Sequence, residues 1–409
     1  MTSHRRMGRW TVGLALALWA IHPPIRLSAQ DYRAQALRIL RATPLVDGHN
    51  DIPDAVRERG GLDSVNLASS QPSLHTDIPR LKAGRVGAQF WAAYVPVGTM
   101  QAGDTGTRPA VYALEQIDFV HRMCRRYSQT FAPALTAADV EQNFKAGKIS
   151  CLIGIEGGHA IESSLGPLRM FSRLGVGYMT LTHNRTIDWA DAATDSARHD
   201  GLTPFGEDVV REMNRLGMLV DLSHVSDATM MDALRVTRAP VIYSHSSARA
   251  LCGHLRNVPD SILRRVTVNG GVVMVNFAPQ FISEEVRLYG LVVQRQADSL
   301  RGAGVGADAV RDSVRAWSAA APRATRAQVA NHLDHVRQVA GVDHVGLGSD
   351  FDGIATVPQG LEDVSKFPDL IAELLRRGWT EADVRKLIGL NVLRVMREAE
   401  RVATELRTP

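Results

Sequence analysis

Cysteine is scarce in this sequence, which has three among 409 residues. Cys124, Cys151 and Cys252 show no CxxC or other metal-type spacing. Their odd number argues against a disulfide framework, although the sequence is compatible with one disulfide bond. A cysteine-based metal module and a disulfide-stapled scaffold are therefore not expected. We expect the three cysteines to serve as small buried apolar residues.

An excess of positive charge is also missing once the first residues are set aside. Of the 47 lysines and arginines, four lie in residues 1–29, which contain no acidic residue, so the rest of the chain carries 43 side chains of each sign. No basic stripe with interleaved aromatic residues occurs elsewhere. This composition excludes nucleic acid and anionic membranes as expected partners.

The sequence lacks an apolar run long enough to span a membrane. The best candidate, Trp10–Ile21, has about 12 residues where a span needs roughly 20. Arginines precede it and a small-residue site follows at residues 27–29, a pattern that predicts an export signal over residues 1–29. We expect a periplasmic or secreted protein with no transmembrane span in the mature chain. A buried N-terminal helix or an uncleaved membrane anchor is the alternative.

Internal repeats and domain linkers are absent, and short apolar runs rich in β-forming residues recur instead. Such runs suit strands that are covered on both faces, as in a parallel sheet. Eight of them, alternating with helical patterns, predict an α/β fold with residues 30–409 as a single (β/α)8 TIM-type barrel. A doubly wound sheet is the alternative, but its usual glycine-rich turn after the first strand is missing. The eight runs are Pro44–Gly48, Val86–Tyr94, Ser150–Glu156, Val176–Thr182, Met218–Ser223, Pro240–Ser244, Gly271–Phe277 and His344–Ser349.

A long connection separates the seventh and eighth runs. Residues 283–325 are rich in alanine and arginine with helical spacing, which predicts a helical insertion between strands 7 and 8. Either this insertion is a solvated pair of surface helices, or it forms a lid or an oligomer contact such as a homodimer interface.

Histidine and carboxylate side chains follow the ends of six of the eight runs, where barrel enzymes place their chemistry. Imidazole and carboxylate groups are ligands for zinc or a similar divalent ion. Even three histidines and two carboxylates of this set would exceed the needs of one catalytic zinc, so we expect two metals, with Glu156 as the natural bridge between them. The strand-end residues are His49, Asp51, Glu156, His183, His224, His245 and Asp350.

Two neighbouring patterns have a competing interpretation. Ser244, Ser246 and Ser247 flank His245, but no GxSxG elbow accompanies them, so a serine nucleophile is not favoured. Asp352 lies two residues after Asp350 and could take its place; we favour Asp350.

The motifs that contain these residues resemble those of the renal (membrane) dipeptidase family, within the metal-dependent amidohydrolases. The resemblance runs from about residue 44 to the C-terminal helix and rests on seven motifs in the family's order. They are DGHND, GIEGG, LTHN, DLSH, SHSSAR, a following Arg-Asn-Val, and GSDFDG.

The resemblance implies a role for each strand-end residue. His49 and Asp51 would bind the first zinc, Glu156 would bridge, and His224 and His245 would bind the second. His183 would polarise the scissile carbonyl and stabilise the oxyanion. Arg256 would hold the substrate's C-terminal carboxylate, and Asp350 would face its free amino group and shuttle a proton to the leaving amine.

The expected function is that of a zinc-dependent metallo-dipeptidase, a hydrolase in which a hydroxide bridging two metal ions attacks the peptide bond of a dipeptide. Two alternatives stay open: a related amidohydrolase acting on a lactam, cyclic amide or phosphoester, and a metal- or peptide-binding protein without activity. His49-Asn-Asp51 and Glu156 favour the dipeptidase, because many related barrels instead carry HxH after the first strand and a carboxylated lysine as bridge.

Overall fold

The computed structural model describes residues 1–2, 29–100 and 108–408 of the chain. Most of the predicted export signal, residues 1–29, lies outside these residues, so that prediction stays open. No helix in the described part of the chain is both long enough and apolar enough to cross a membrane.

The described residues form a single parallel sheet of nine strands that closes into a barrel. Its order is β2-β1-β9-β8-β7-β6-β5-β4, and β2 pairs with β4 to complete the ring of eight. The ninth, β3, pairs with the beginning of β4. The strands are β1 Leu45–Asn50, β2 Val86–Tyr94, β3 Phe131–Pro133, β4 Ile149–Glu156, β5 Val176–Thr180, β6 Leu219–Asp221, β7 Ile242–Tyr243, β8 Val272–Val275 and β9 Val345–Leu347.

Helices follow the strands and surround the barrel, so the predicted (β/α)8 TIM-type fold is confirmed. The α-helices are α1 Ala29–Ala42, α2 Ile52–Arg57, α3 Ile78–Ala83, α4 Pro109–Arg126, α5 Ala137–Lys145, α6 Leu165–Arg173, α7 Pro204–Leu216, α8 Asp227–Val236, α9 Asp260–Asn269, α10 Pro279–Ile282, α11 Glu284–Gly302, α12 Ala307–Ala319, α13 Arg326–Ala340, α14 Phe367–Arg376, α15 Glu381–Arg385 and α16 Asn391–Arg407. Short 3-10 turns occupy Val97–Met100, Gly158–Ile161, Val342–His344 and Val364–Lys366, and a π-helical turn occupies Lys386–Leu390.

Local sequence signals place the helix ends. Thr136 and Thr380 each accept a hydrogen bond from the backbone three residues on, and an aspartate there reaches back, which completes a capping box at α5 and α15. Gly217 ends α7 in the left-handed region, at φ 80°, which glycine adopts without steric cost. These signals are local, so they are readable before the fold is known.

Two layers of apolar residues hold the barrel together. One lies between strands and helices; the other fills the interior, with Val46, Phe90 and Met274 among its members. The interior cluster continues into Val392 and Met396 of α16, which closes the end of the barrel where the strands begin. The opposite end, where the strands finish, is left for polar side chains.

The segment between β8 and α13 contains α11 and α12. Tyr289 of α11 donates its hydroxyl to the carbonyl of Trp317 in α12, and Val293, Ala297 and Val310 are the buried apolar residues of the pair. The rest of both helices is largely exposed. The lid and homodimer interpretations of this segment stay predictions.

Candidate metal centre and substrate site

The strand-end histidines and carboxylates converge at one end of the barrel. Their donor atoms form three groups that could each hold an ion, with all donor atoms of a group within 4.8 Å of one another. Glu156 belongs to two of the groups and His49 also belongs to two. The groups are His49, Glu156 and His245; Glu156, His183 and His224; and His49, Asp51 and Asp350.

Glu156, the last residue of β4, lies at the centre of the cluster. Its Oε1 is 2.9 Å from Nε2 of His224 and 3.3 Å from Nε2 of His245. Its Oε2 is 3.6 Å from Nε2 of His49. The two carboxylate oxygens therefore face different histidines, which is the arrangement that a bridging ligand needs.

Each of the three histidines turns Nε2 towards the centre because its Nδ1 is engaged elsewhere. A metal-binding imidazole commonly has its second nitrogen fixed in this way. The Nδ1 contacts are His49 with the hydroxyl of Tyr178 at 2.9 Å, His224 with Oδ1 of Asn184 at 3.1 Å, and His245 with the hydroxyl of Ser244 at 2.8 Å. Asn184 Oδ1 can only accept, so Nδ1 of His224 carries the proton and Nε2 offers a lone pair.

These residues fit divalent metal ions. Nε2 of fully buried His49 has no hydrogen-bond partner in the described part of the chain, and Nε2 of His224 and Nε2 of His245 are only 2.9 Å apart. Burial lowers the pKa of both His224 and His245 well below its ordinary value, which favours the neutral form that binds a metal. Burial also raises the pKa of Asp51 and Asp350, so a nearby cation would stabilise their ionised forms.

Burial raises the pKa of Glu156 as well, but the surrounding histidines outweigh it. The positive charges of His49 and His183, together with the close contacts of His224 and His245, hold the pKa of Glu156 well below its usual range. The carboxylate is therefore ionised and available as a ligand at neutral pH.

Arg256 is a buried cation that forms no ion pair with a carboxylate among the described residues. It is 2% exposed, its Nη1 and Nη2 make only long contacts of 3.3 and 3.4 Å to Ser246 Oγ and the His245 carbonyl, and its Nε has no partner among the described residues. Burial lowers its pKa to about 10. A buried guanidinium without a carboxylate is costly, so this position suits an anionic group supplied by a ligand.

His183 lies between Glu156 and a tyrosine that the sequence reasoning missed. Its Nε2 is 3.9 Å from Oε1 of Glu156, and its ring packs edge-on against Tyr94, with centroids 5.0 Å apart. Tyr94 is the last residue of β2, so the strand-end pattern would have included it if aromatic residues had been considered along with charged ones. Its hydroxyl-bearing ring forms part of the wall of the site.

The structure distinguishes the two aspartates after β9. Asp350 joins the cluster, whereas Asp352 turns away and accepts a hydrogen bond from the backbone nitrogen of His75 at 2.7 Å. Asp350 adopts φ 64°, a left-handed conformation that a non-glycine residue rarely takes. His224 does the same at φ 70°. Such backbone strain commonly occurs at functional sites, where the surrounding structure fixes it.

The cluster lines one side of a cavity of about 880 Å³. Arg256 and Phe281 line another part of it, and Asp54, Glu58 and Arg185 contribute charges nearer its mouth. A cavity of this size accommodates a small molecule with charged ends.

Comparison with known proteins adds a family match. A model of the family described as membrane dipeptidase, peptidase family M19, matches residues 33–409.

Solved structures are similar over most of the chain. The probable dipeptidase PvdM from Pseudomonas aeruginosa is 21% identical to this chain, with a TM-score of 0.80. The alignment covers 91% of this chain and 100% of PvdM. At this identity the similarity supports the fold alone. A dipeptidase AC, a metallopeptidase of family M19, is 28% identical with a TM-score of 0.71, covering 87% and 98%. A metallopeptidase from Rhodobacter sphaeroides, liganded with a phosphinate mimic of the dipeptide L-Ala-D-Ala, is 28% identical with a TM-score of 0.69, covering 87% and 99%.

Proposed function

Because the chain belongs to the membrane dipeptidase family, peptidase family M19, we propose that it is a zinc-dependent dipeptidase with two metal ions per chain. The observation that carries the proposal is the position of Glu156, whose Oε1 faces His224 and His245 while its Oε2 faces His49. One carboxylate between two sets of donors supports a binuclear centre rather than a single ion.

The proposed ligands divide into two sets around this bridge. His49 and Asp51 would hold one ion, His224 and His245 would hold the other, and Glu156 would contribute to both. When bound, a pair of divalent ions lowers the pKa of a water to near neutrality and polarises the carbonyl under attack. Tyr178, through its contact with Nδ1, keeps the ring of His49 in the orientation that this requires.

Arg256 and Asp350 recognise the two ends of the substrate in this proposal. The Arg256 guanidinium binds the terminal carboxylate, which gives the buried cation the partner that it lacks. Asp350, which lies in the donor group of His49 and Asp51, faces the free amino group. Requiring both charged ends restricts the substrate to dipeptides, and the dipeptide mimic bound by the Rhodobacter protein supports this substrate class.

Two side chains handle charge and protons during hydrolysis. His183 is placed to donate a hydrogen bond from Nε2 to the oxygen that becomes negative, an interaction typically worth about 3–4 kcal/mol per donor. Asp350 has one oxygen, Oδ2, engaged by Asn276, so Oδ1 is the atom that accepts the proton from the attacking water and returns it to the leaving nitrogen.

The proposal is tested with zinc-loaded protein, a dipeptide library and metal analysis. We expect release of free amino acids and about two tightly held divalent ions per chain. Turnover of a lactam or phosphoester with no dipeptide hydrolysed would favour the related amidohydrolase, and less than about one ion per chain would contradict the metal centre.

Glu156→Gln is the matching variant. We expect it to lose metal and activity together, because the amide has one oxygen in place of two. Glu212→Gln is the control: Glu212 is also buried, but it pairs with Arg169 and Arg215 in the helical layer. It should lose some thermal stability and keep both metal and activity. Full activity in Glu156→Gln would contradict the bridging role.

A further inference from the structure

Asn276 directly follows β8 and is completely buried beside the proposed active site. Its Nδ2 donates a hydrogen bond to Oδ2 of Asp350 over 2.9 Å and lies 3.3 Å from the carbonyl oxygen of His245. Its Oδ1 accepts a hydrogen bond from the backbone nitrogen of Ala278. The neutral side chain therefore connects three chain segments that meet at the site.

The orientation of this amide follows from its neighbours. The Ala278 backbone nitrogen can only donate, so the oxygen of the Asn276 amide must face it. The His245 carbonyl can only accept, and an ionised Asp350 can only accept as well, so the nitrogen must face them. All polar atoms of the Asn276 side chain are matched, and a reversed amide would lose every one of these contacts.

Among the described residues, Asn276 alone donates a hydrogen bond to the Asp350 carboxylate, although the charges of His49 and Arg256 also attract it. Asp350 is buried close to the carboxylates of Asp51 and Glu156, whose like charges disfavour its approach. Gly353 packs closely on its other side: a Cβ there would lie 2.6 Å from Oδ1 of Asp350 and closer still to Oδ2 of Asp51, so only glycine fits beside the two carboxylates. One oxygen of Asp350 is therefore fixed by Asn276, while Oδ1 accepts no hydrogen bond from the described residues.

We propose that Asn276 is a positioning residue that holds the Asp350 carboxylate towards the substrate's free α-amino group. This inference rests on the proposed dipeptidase function and deepens it, because it assigns the preference for a free amino terminus to the Asn276–Asp350 pair. Asn276 itself touches neither substrate nor metal in this arrangement.

Asn276→Asp tests the proposal, since it keeps the shape of the side chain but replaces the donor with a second carboxylate. The substrates are Ala-Ala and N-propionyl-alanine, which lacks only the amino group. We expect kcat/KM for Ala-Ala to fall about tenfold to a hundredfold, the size of one charge-assisted hydrogen bond, because the contact of Asp350 with the free amino group is weakened. Hydrolysis of N-propionyl-alanine should fall much less, so the preference for the free amine shrinks while bound zinc stays at the wild-type level.

Asn391→Asp is the matched control. Asn391 is also buried and donates two hydrogen bonds from Nδ2, to the carbonyls of Val342 and Val345, at the end of the barrel far from the site. It should lose thermal stability without changing the ratio of the two kcat/KM values. If Asn276→Asp does not fold, Asn276→Ser provides the test, because the serine side chain is too short for its hydroxyl to reach Asp350. The same loss of preference for the free amine is expected.

The outcomes separate this inference from the function on which it rests. If the wild-type protein does not hydrolyse Ala-Ala or any other dipeptide, the proposed function fails. If the wild type is active but Asn276→Asp and Asn276→Ser keep the wild-type preference, or lower both substrates equally, Asn276 is merely structural and the positioning role is overturned.

Discussion

At the scale of single residues, the proposed site combines charged side chains, which would bind metal and substrate, with neutral side chains that orient them. His49, Glu156 and Asp350 could be predicted because charged groups at strand ends are rare without a reason. Asn276 and Tyr94 could not, because neutral polar and aromatic residues at such positions are common in any barrel. Their importance depends on contacts with residues far away in the chain, such as the 74 positions between Asn276 and Asp350.

Substitution of Arg256 should affect stability and activity differently. Arg256→Met should raise KM for dipeptides about a hundredfold, equivalent to about 2.7 kcal/mol of binding, because the carboxylate loses its partner. Thermal stability should stay the same or increase, because the variant removes a buried charge that forms no ion pair within the described residues, although Asp350, Glu156 and Asp221 attract it from farther away. Steady-state kinetics and thermal denaturation without substrate measure the two effects.

Arg394→Met is the matched control for this prediction. Arg394 is half-buried at the far end of the barrel, where it donates to the carbonyls of Gly270 and Asp343. Its loss should lower thermal stability and leave KM unchanged. A clear fall in the stability of Arg256→Met would show that Arg256 supports the fold, contrary to our interpretation.

At the scale of elements, the apolar runs predicted where the strands lie more accurately than they predicted where the strands end. All eight predicted runs overlap a barrel strand, but Pro240–Ser244 contributes only Ile242–Tyr243 as β7. The backbone nitrogen of Ser244 donates to Oδ1 of Asp221 rather than to a neighbouring strand, so the ladder ends early. Strand β3 was not predicted: it has three residues and ends in a proline, which suits a marginal pairing at the beginning of β4.

The backbone conformation of the loops after the strands could not be predicted from the sequence. The positive φ of His224 and Asp350 is uncommon for any residue other than glycine, and although aspartate and histidine adopt it more often than most, their sequence does not locate it. Only the combined contacts of neighbouring loops explain how it is maintained. Asp350, for example, donates its backbone nitrogen to the carbonyl of His49 while its side chain is held by Asn276.

Helix α11 offers a prediction about local stability. Gly290 lies in its interior, and a Cβ at this position would meet nothing within 4 Å. Gly290→Ala should therefore stabilise the helix by about 0.5–1 kcal/mol, because alanine loses less backbone entropy on ordering. Hydrogen exchange should show slower exchange across α11.

The barrel strands provide an internal control in the hydrogen-exchange measurement of Gly290→Ala. Exchange in the barrel strands should be unchanged, because α11 and α12 pack mainly on each other and expose most of their surface. Faster exchange in α11 after the substitution would mean that residue 290 contacts something other than solvent. A second copy of the chain, as in the predicted homodimer, is one such contact.

At the scale of the whole molecule, barrel closure brings residues from the entire length of the chain to one rim. His49 and Asp350 are 301 positions apart, yet the backbone of one accepts a hydrogen bond from the other. The order of motifs along the chain predicted this convergence once the barrel was inferred, because parallel strands end on the same face. Export through residues 1–29 and the homodimer concern relations beyond the described residues, and they stay predictions.

His332 links three parts of the molecule through a neutral imidazole. It lies in α13, its Nδ1 accepts a hydrogen bond from the backbone nitrogen of Ala248, and its Nε2 donates to the carbonyl of Ile282. Protonation would replace the acceptor with a second donor. Burial, the main cause, lowers its pKa from 6.5 to about 4 in the folded protein.

This shift predicts how the stability of the protein depends on pH. Between pH 6.5 and 4 the unfolded chain binds a proton at His332 and the folded chain does not, so acid favours unfolding over this window. Above pH 6.5 neither state is protonated at this residue, and below pH 4 both are. The free energy of unfolding should therefore fall by about 2–3 kcal/mol between pH 7.5 and 4.5 through this group alone.

Urea unfolding of the wild type and His332→Gln at both pH values isolates the contribution of this group. Other titrating groups and metal release at low pH affect both proteins and cancel in the comparison. Glutamine does not titrate, so the variant should be less stable than the wild type at pH 7.5, and the difference should shrink by about 2–3 kcal/mol at pH 4.5. Val329→Ala removes buried volume from the same helix without changing a titratable group, so its deficit should be equal at both pH values. An equally constant deficit in His332→Gln would mean that His332 is not held in its neutral form by the fold.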